Sequence, residues 1–375
     1  MNSKLESVEA QHSSAADLKT STADAKTTSF FEFWPTWLMY FPVVFLWLFY
    51  AVRYRSVTAP LLANPTITLG GMVGGSKHEL MSQAKGLCRK AILPWVYVQV
   101  SGESTLQQAA DCIRRAKEKN IHLPFVCKPD TGCRGAGVKL VATESALAQV
   151  IAKYPLGAAF ICQELSSHEP EVGIFYVRHP ENQQGDIVSL TFKHTPSVLG
   201  DGIHTLEQLV KQDARARGLL SLYHSKNKMA WYAVVPEGYR HRLLFSASHC
   251  RGAVFTDARE HITPELTHAI NEIMADLPQF YYGRMDVKYS SLAALKAGLN
   301  LEIVEINGAS SESIHIWDKD AKFWDAIKTL LWQYRTLFQL GLYQVRQGRK
   351  TPGVTALYKA WRFERELTQH YPETD

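Results

Sequence analysis

The segment Trp34–Val52 runs for 19 residues without a charged side chain and is dense in Trp, Phe, Tyr and Leu. So long an apolar run has few places to go: through a bilayer, into its surface, or into the centre of a large fold. Its length suits one spanning helix. Aromatic residues crowd both ends, where the interfacial belts of membrane proteins lie, and Arg53 and Arg55 follow at once. By the positive-inside rule those arginines keep the C-terminal side in the cytosol, so the part of the chain beyond them faces the cytosol from the inner (cytoplasmic) membrane. Pro35 occupies a tolerated first-turn position, but Pro42 lies inside the run and kinks a helix there. Three arrangements therefore stay open: a single span, a re-entrant or monotopic segment, and a buried helix of a soluble body. Residues 1–30 are rich in Ser, Thr, Ala and charge, which predicts a disordered tail. They are too long and too acidic for the basic region of a signal peptide.

Beyond that run the composition is globular. The chain has 375 residues, 46% hydrophobic and 21% charged, which excludes a disordered chain and suggests one large or two to three modest domains. Its net charge of +5, from 41 Lys and Arg against 36 Asp and Glu, is too small and too scattered to imply nucleic acid as a partner. Cys88, Cys112, Cys127, Cys133, Cys162 and Cys250 form no CxxC pair and no metal-ligand spacing. They read as reduced, buried thiols of a reducing compartment.

The local pattern alternates strands and helices, which predicts an α/β or α+β enzyme-like fold. Ile67–Gly75 reads as a short strand entering a glycine-rich turn, with Ser76 capping a helix from Lys77. Strands are expected at Ile92–Val100, around Lys128, after the loop TGCRGAG, and at AAFICQEL, EVGIFYVRHP and Asp186–His194. Ser104, Thr143 and Thr263 stand as N-caps of helices, the last with Pro264 at its first position. GRMDVKYS and LNLEIVEING are two further strands, and Lys319 to about Gly348 is a long aromatic-rich helical region. Trp317, Trp324, Trp332 and Trp361 are expected in the core or at interfaces.

Two segments carry chemistry. In FVCKPDTGCRGAGV a strand delivers Lys128, and Gly132, Gly135 and Gly137 then leave backbone N–H groups open to close approach. Lys128 can neutralise one phosphate while the N–H groups cradle others. An ordinary hairpin also favours glycine, so this loop alone leaves both readings open. The second segment pairs Arg284-Met285-Asp286 with Glu305-Ile306-Asn307. Residues two apart on a strand share a face, so Arg284 joins Asp286, and Glu305 joins Asn307. Two carboxylates and an amide oxygen form a hard-oxygen set suited to Mg²⁺, and Arg284 can hold phosphate or stabilise a transferring group. A solvated hairpin face is the alternative.

Taken together, in this order, the motifs resemble the ATP-grasp family from roughly Ser76 to Ser313. That resemblance implies ATP, with Mg²⁺ or Mn²⁺, bound between two α+β lobes. It also implies a reaction in which a carboxylate is phosphorylated and the acyl phosphate attacked by an amine or similar nucleophile. Lys128 resembles the family lysine on the α-phosphate, and TGCRGAG, including Gly132, Arg134, Gly135 and Gly137, its mobile phosphate loop. Gln163-Glu164-Leu165 resembles the adenine hinge, Glu171 the ribose-binding acid of D-alanine–D-alanine ligases, and Lys77 an earlier phosphate lysine. Arg284 matches the family arginine, and Asp286, Glu305 and Asn307 match its metal-binding acid, acid and amide. PSVLGDGIHTLEQLV and SHCRGAVFTD resemble cyanophycin-synthetase-type domains, which puts Lys193 near the phosphates and Arg251 in the following loop. The run GASSESIHIWD after Asn307 departs from D-alanine ligases, so D-alanine is not implied as a substrate.

The expected organisation is a tail (1–30), a membrane-anchoring helix (31–55), a shortened N-terminal region (56–103), an ATP-grasp domain (104–318) and a helical region (319–375). Anchoring suggests a lipid-linked or bilayer-derived substrate or a membrane-bound partner enzyme. The sequence identifies neither the carboxylate nor the amine, nor the oligomeric state. A kinase on the same scaffold and a non-catalytic nucleotide-binding membrane module are the alternative functions.

Overall fold

The computed structural model describes residues 29–32, 34–132, 135–246, 248 and 251–375. The chain is a mixed α+β structure built on two antiparallel sheets, after an initial helix α1 (Thr36–Arg53). The first sheet contains β1 (Trp95–Gln99), β2 (Phe125–Pro129), β3 (Lys139–Val141) and β4 (Ala159–Glu164) in the order β1-β4-β2-β3. Helices α2 (Thr105–Glu118) and α3 (Glu144–Ile151) close one of its faces. Ala109, Cys112 and Ala116 of α2 and Leu147 and Ile151 of α3 meet Val96, Val98, Phe125 and Phe160 there. Thr143 caps α3 as its sequence position predicts, accepting from the Ala146 N–H at 3.1 Å. Ser104 precedes α2 without a side-chain capping bond.

The second sheet contains β5 (Glu171–Val177), β6 (Asp186–His194), β9 (Val254–Asp257), β10 (Tyr282–Tyr289) and β11 (Leu301–Asn307), in the order β11-β10-β5-β6-β9. Between β6 and β9 the chain detours through a small ladder, β7 (Ser197–Leu199) with β8 (Arg240–Arg242), which has its own core around Leu206, Tyr223 and Trp231. Helix α4 (Pro264–Ala275), capped by Thr263, packs Leu266, Ile270 and Met274 onto Val172, Ile174, Met285 and Val287 of the sheet. Because strand side chains alternate, the opposite face receives Glu171, Gly173, Thr191, Lys193, Arg284, Asp286 and Lys288. The candidate site residues Glu171, Lys193, Arg284 and Asp286 collect on that face.

Two long helices follow. Helix α5 (Phe323–Arg346) buries Leu337 and Leu340 against Phe175 and Tyr282, and α6 (Val354–Gln369) follows a break at Gly348.

Ile67–Gly75 is a correction to the expected strand: Thr68–Gly71 forms a 3₁₀ turn, with Leu69 and Gly70 left-handed. The turn passes so close to the end of β11 that a Cβ on Gly71 would lie 2.8 Å from Gly308 Cα. Ala309 and Ser310 N–H donate to the carbonyls of Gly70 and Gly71 at 3.0 and 3.1 Å, so this segment props the loop that follows Asn307. Trp324 is 70% exposed, Trp361 45% and Trp332 40%, so these three do not belong to a core. Four of the cysteines, Cys88, Cys112, Cys127 and Cys162, are buried free thiols; Cys133 and Cys250 lie outside the described residues.

Candidate functional site

The two short motifs meet in register. Across β10 and β11, Arg284 stands opposite Asn307 and Asp286 opposite Glu305, with a bulge following Asp286. On the other side of β10, Asp286 faces Gly173 and Lys288 faces Glu171, and Glu171 in turn faces Lys193 of β6. Antiparallel pairing thus turns a linear spacing into a compact patch of alternating charge.

The patch is tightly paired. Lys193 Nζ bonds the Glu171 carboxylate and lies 3.1 Å from Asp286 Oδ2. Lys288 Nζ lies 3.2 Å from the second Glu171 oxygen, and Arg284 Nε donates to Asp286 Oδ1 at 2.8 Å. Gly173 makes room for this: a Cβ there would stand 3.2 Å from Arg284 Cδ and 3.0 Å from Ile314 Cδ1. Arg284 also donates to the Glu312 carbonyl at 3.3 Å. Burial alone would favour the neutral forms, but the ion pairs outweigh it. Glu171 is driven well below the usual carboxylate range by Lys193 and Lys288. Asp286 is lowered by Arg284 and Lys193, and Lys193 is raised by Asp286 and Glu171.

Lys128 differs. Its ammonium donates to Gln163 Oε1 at 2.7 Å and to the Val304 carbonyl at 3.1 Å, both neutral acceptors. Burial pulls its pKa down to about 8, against a partial lift from Glu305 and Glu171. A buried ammonium without a carboxylate in contact gains much from an arriving anion. Gln163 is itself fixed by donating to the Leu93 carbonyl at 3.2 Å. Glu164 and Leu165 are half-buried at the end of β4, where the Glu164 N–H donates to the Pro94 carbonyl at 2.9 Å.

Lys77 links the two motifs. Its Nζ donates to the Gly132 carbonyl at 3.0 Å and lies 3.6 Å from Glu305 Oε1. Ser76 caps its short helix, and Asp130 holds the same turn by accepting from the His78 N–H at 2.8 Å.

The glycine loop lies against the last residues of the chain. Thr374 Oγ1 donates to the Gly135 carbonyl at 2.8 Å and accepts from the Gly137 N–H at 2.9 Å; Tyr371 Oη donates to the Thr131 carbonyl at 2.7 Å. Asp375 accepts from Lys139 Nζ and from the Leu140 N–H. Arg251 is drawn here as well, donating to the main-chain oxygens of Thr374 and Asp375 at 3.2 and 3.5 Å. The structure therefore brings Lys77, Lys128, Gln163, Glu171, Lys193, Arg284, Asp286, Glu305 and Asn307 toward one another and places Arg251 on the tail. Arg134 lies outside the described residues.

Sequence reasoning missed Lys288, although its place two residues after Asp286 on the same strand face was readable. It also missed Gly173 and the Thr374–Asp375 contact, which joins segments too far apart for any local pattern.

Among the described residues, no group of three or more His, Cys, Asp and Glu side chains is placed to hold a metal ion. The available set is two carboxylates and an amide, and each carboxylate faces cations: Asp286 holds Arg284 and Lys193, and Glu305 faces Lys77. Mg²⁺ carried on phosphates needs only one or two carboxylates, so the donor chemistry of Asp286, Glu305 and Asn307 fits it.

No protein-family model and no curated protein matches the chain. Among solved structures, it is similar to a bifunctional glutathione synthetase from Pasteurella multocida, at 14% identity and TM-score 0.35, over 68% of this chain and 35% of that one. The chain thus spans about a third of that enzyme's length. It is similar to D-cycloserine synthetase DcsG at 13% identity and TM-score 0.38, over 71% of this chain and 70% of that one. A D-alanine–D-alanine ligase from Bacillus anthracis gives 11% identity and TM-score 0.39, over 73% and 72% of the two chains. At these TM-scores, residue roles are read from this chain's own side chains.

Proposed function

We propose that the chain is an ATP-dependent ligase attached to a membrane, which phosphorylates a carboxylate and lets an amine or similar nucleophile attack the acyl phosphate. The observation that carries this is the convergence of Lys77, Lys128, Lys193 and Arg284 on a sheet face that also bears Asp286, Glu305 and Asn307. A face so arranged has cations for phosphates and hard oxygen donors for the metal that accompanies them.

In this reading Lys128 and Lys77 hold phosphates together with the glycine loop, and Gln163, Glu164 and Leu165 border the base. Glu171 holds Lys193 and Lys288 in position, a role that competes with the ribose contact implied by family resemblance. Lys193 and Arg284 stabilise the group in transfer. They need no nucleophile of the protein's own, because positioning and fixed charge lower the barrier. Mg²⁺, held by Asp286, Glu305 and Asn307, would reduce the negative charge on the phosphates. The apolar helix α1 supplies the attachment.

The test is an ADP-release screen over carboxylates and amines, lipid extracts included, with mass spectrometry of products. Phosphate release that needs both partners supports ligation. ADP release with the phosphoryl group retained on the product is phosphotransfer and contradicts it.

A further inference from the structure

The apolar helix is not a free-standing anchor. Contacts between α1 and α5 advance in the same direction along both: Trp34 meets Phe323 at 5.4 Å between ring centroids, Tyr40 meets Tyr334 at 6.2 Å, and Tyr50 meets Phe338 at 5.2 Å. Trp47 rests on both Tyr334 and Phe338, at 5.8 and 5.2 Å. Both ends are tied to the body as well. Just before α1, the Glu32 side chain is 1% exposed and ion-paired with Arg215, which also donates to the Ala253 carbonyl at 2.8 Å. Just after it, the Val57 carbonyl accepts from Nε1 of Trp47, within α1, at 3.1 Å. The following turn then packs on α5 so closely that a Cβ on Gly341 would lie 1.9 Å from the Ala59 carbonyl oxygen.

Helix α5 cannot enter the hydrocarbon with it. It carries Asp325, Lys328, Arg335 and Arg346, and its buried Gln333 donates to Tyr282 Oη at 3.0 Å, inside the body that carries Arg284 and Asn307. A helix bound in parallel to such a partner, with a buried ion pair at one end, does not cross a bilayer without breaking all of these contacts. Its outward face is nevertheless apolar: Trp37, Phe41, Phe45, Leu48, Phe49 and Val52 are exposed in one stripe at helical spacing. Exposed Arg53 and Arg55 stand at the end of the stripe, where positive charge complements anionic headgroups.

We infer that α1 lies in one leaflet of an anionic bilayer, parallel to its surface, with both ends and the whole body on the same side. This rests on the membrane attachment proposed above and specifies its geometry. The body that carries the site is thereby held at the bilayer surface through α5.

The test uses the full chain in two arms. In flotation, the protein is expected to rise with vesicles containing phosphatidylglycerol more than with pure phosphatidylcholine. The double variant Phe45→Asp, Phe49→Asp is expected to partition at least about tenfold less. In the second arm, Ser14→Cys and Ser290→Cys are labelled separately with a membrane-impermeant maleimide in sealed inverted vesicles from producing cells, against the unsubstituted chain as background. Equal labelling of both without detergent supports the inference. Protection of Ser14→Cys until detergent is added, with Ser290→Cys labelled, means that the helix crosses and overturns it while leaving attachment standing. No flotation with either vesicle overturns attachment itself, and a dimer that forms through the stripe without binding vesicles makes a second copy the occupant.

Discussion

Asp286 and Glu305 face each other across β10 and β11, one gripped by Arg284 and Lys193, the other 3.6 Å from Lys77. Two carboxylates so close on one sheet face need positive charge between or beside them. In the proposed reaction a metal bound with ATP shares that duty with the lysines. Glu305→Gln and Asn307→Ala should each lower ATP turnover by about 10²-fold or more. Glu305→Gln should also raise the Mg²⁺ concentration needed for half-maximal ATP binding, read by titration at fixed nucleotide.

Asp286→Asn removes the shared anion of two nearly buried cations. Breaking a buried pair on one side costs about 3 kcal/mol, so a clear fall in Tm is expected, beyond the loss of activity. Replacing exposed Asp325 with Asn should leave Tm unchanged within error.

Lys128 sets a pH dependence. Its folded-state pKa of about 8 lies below the ordinary lysine value, so in the free protein it loses its proton as pH rises through that point. ATP affinity should therefore weaken above about pH 8. Lys128→Ala should weaken binding at neutral pH and flatten that part of the profile.

Glu171 works in the opposite direction. Its folded-state pKa is depressed by Lys193 and Lys288, so its pairs add stability above the ordinary carboxylate range, and that stability is lost as pH falls through and below it. Thermal scans in acid should show a steeper decline for the native chain than for Glu171→Gln, which begins less stable.

Gly173 admits the Arg284 side chain. Gly173→Ala puts a methyl group 3.2 Å from Arg284 Cδ and 3.0 Å from Ile314 Cδ1, so the Arg284 side chain must shift to accommodate it. Turnover should fall further than ATP affinity, because Arg284 is assigned to the transferring group.

The tail should govern the glycine loop. Thr374→Ala removes the hydroxyl that accepts from the Gly137 N–H and donates to the Gly135 carbonyl. Hydrogen exchange at Gly137 should accelerate by about tenfold, while exchange in β10 stays unchanged.

The parts legible in the sequence share one property: they depend on local period or local chemistry. Arg284, Asp286, Glu305 and Asn307 could be placed face by face because a strand repeats every two residues, and Thr143, Thr263 and Ser76 announced their helices as caps. Ile67–Gly75 misled because an apolar, glycine-rich stretch looks the same as a strand or as a tight turn packed under another loop. Arg251 was placed by resemblance of its neighbourhood, yet its partner Thr374 lies 123 residues away and leaves no mark on the local sequence. The same holds for α1: its hydrophobicity was plain from composition, but its attachment to α5 depends on ring contacts and on a Glu32–Arg215 pair that spans 183 positions.

The most direct measurement follows an oxygen atom. Once the screen identifies a substrate pair, the carboxylate is supplied with ¹⁸O in both oxygens, and the released phosphate is analysed by mass spectrometry. Attack of the amine on an acyl phosphate breaks the acyl C–O bond, so one carboxylate oxygen leaves with the phosphate. The account predicts phosphate carrying one ¹⁸O for each amide formed. Phosphate free of label, or a phosphoryl group that remains on the product, would contradict it.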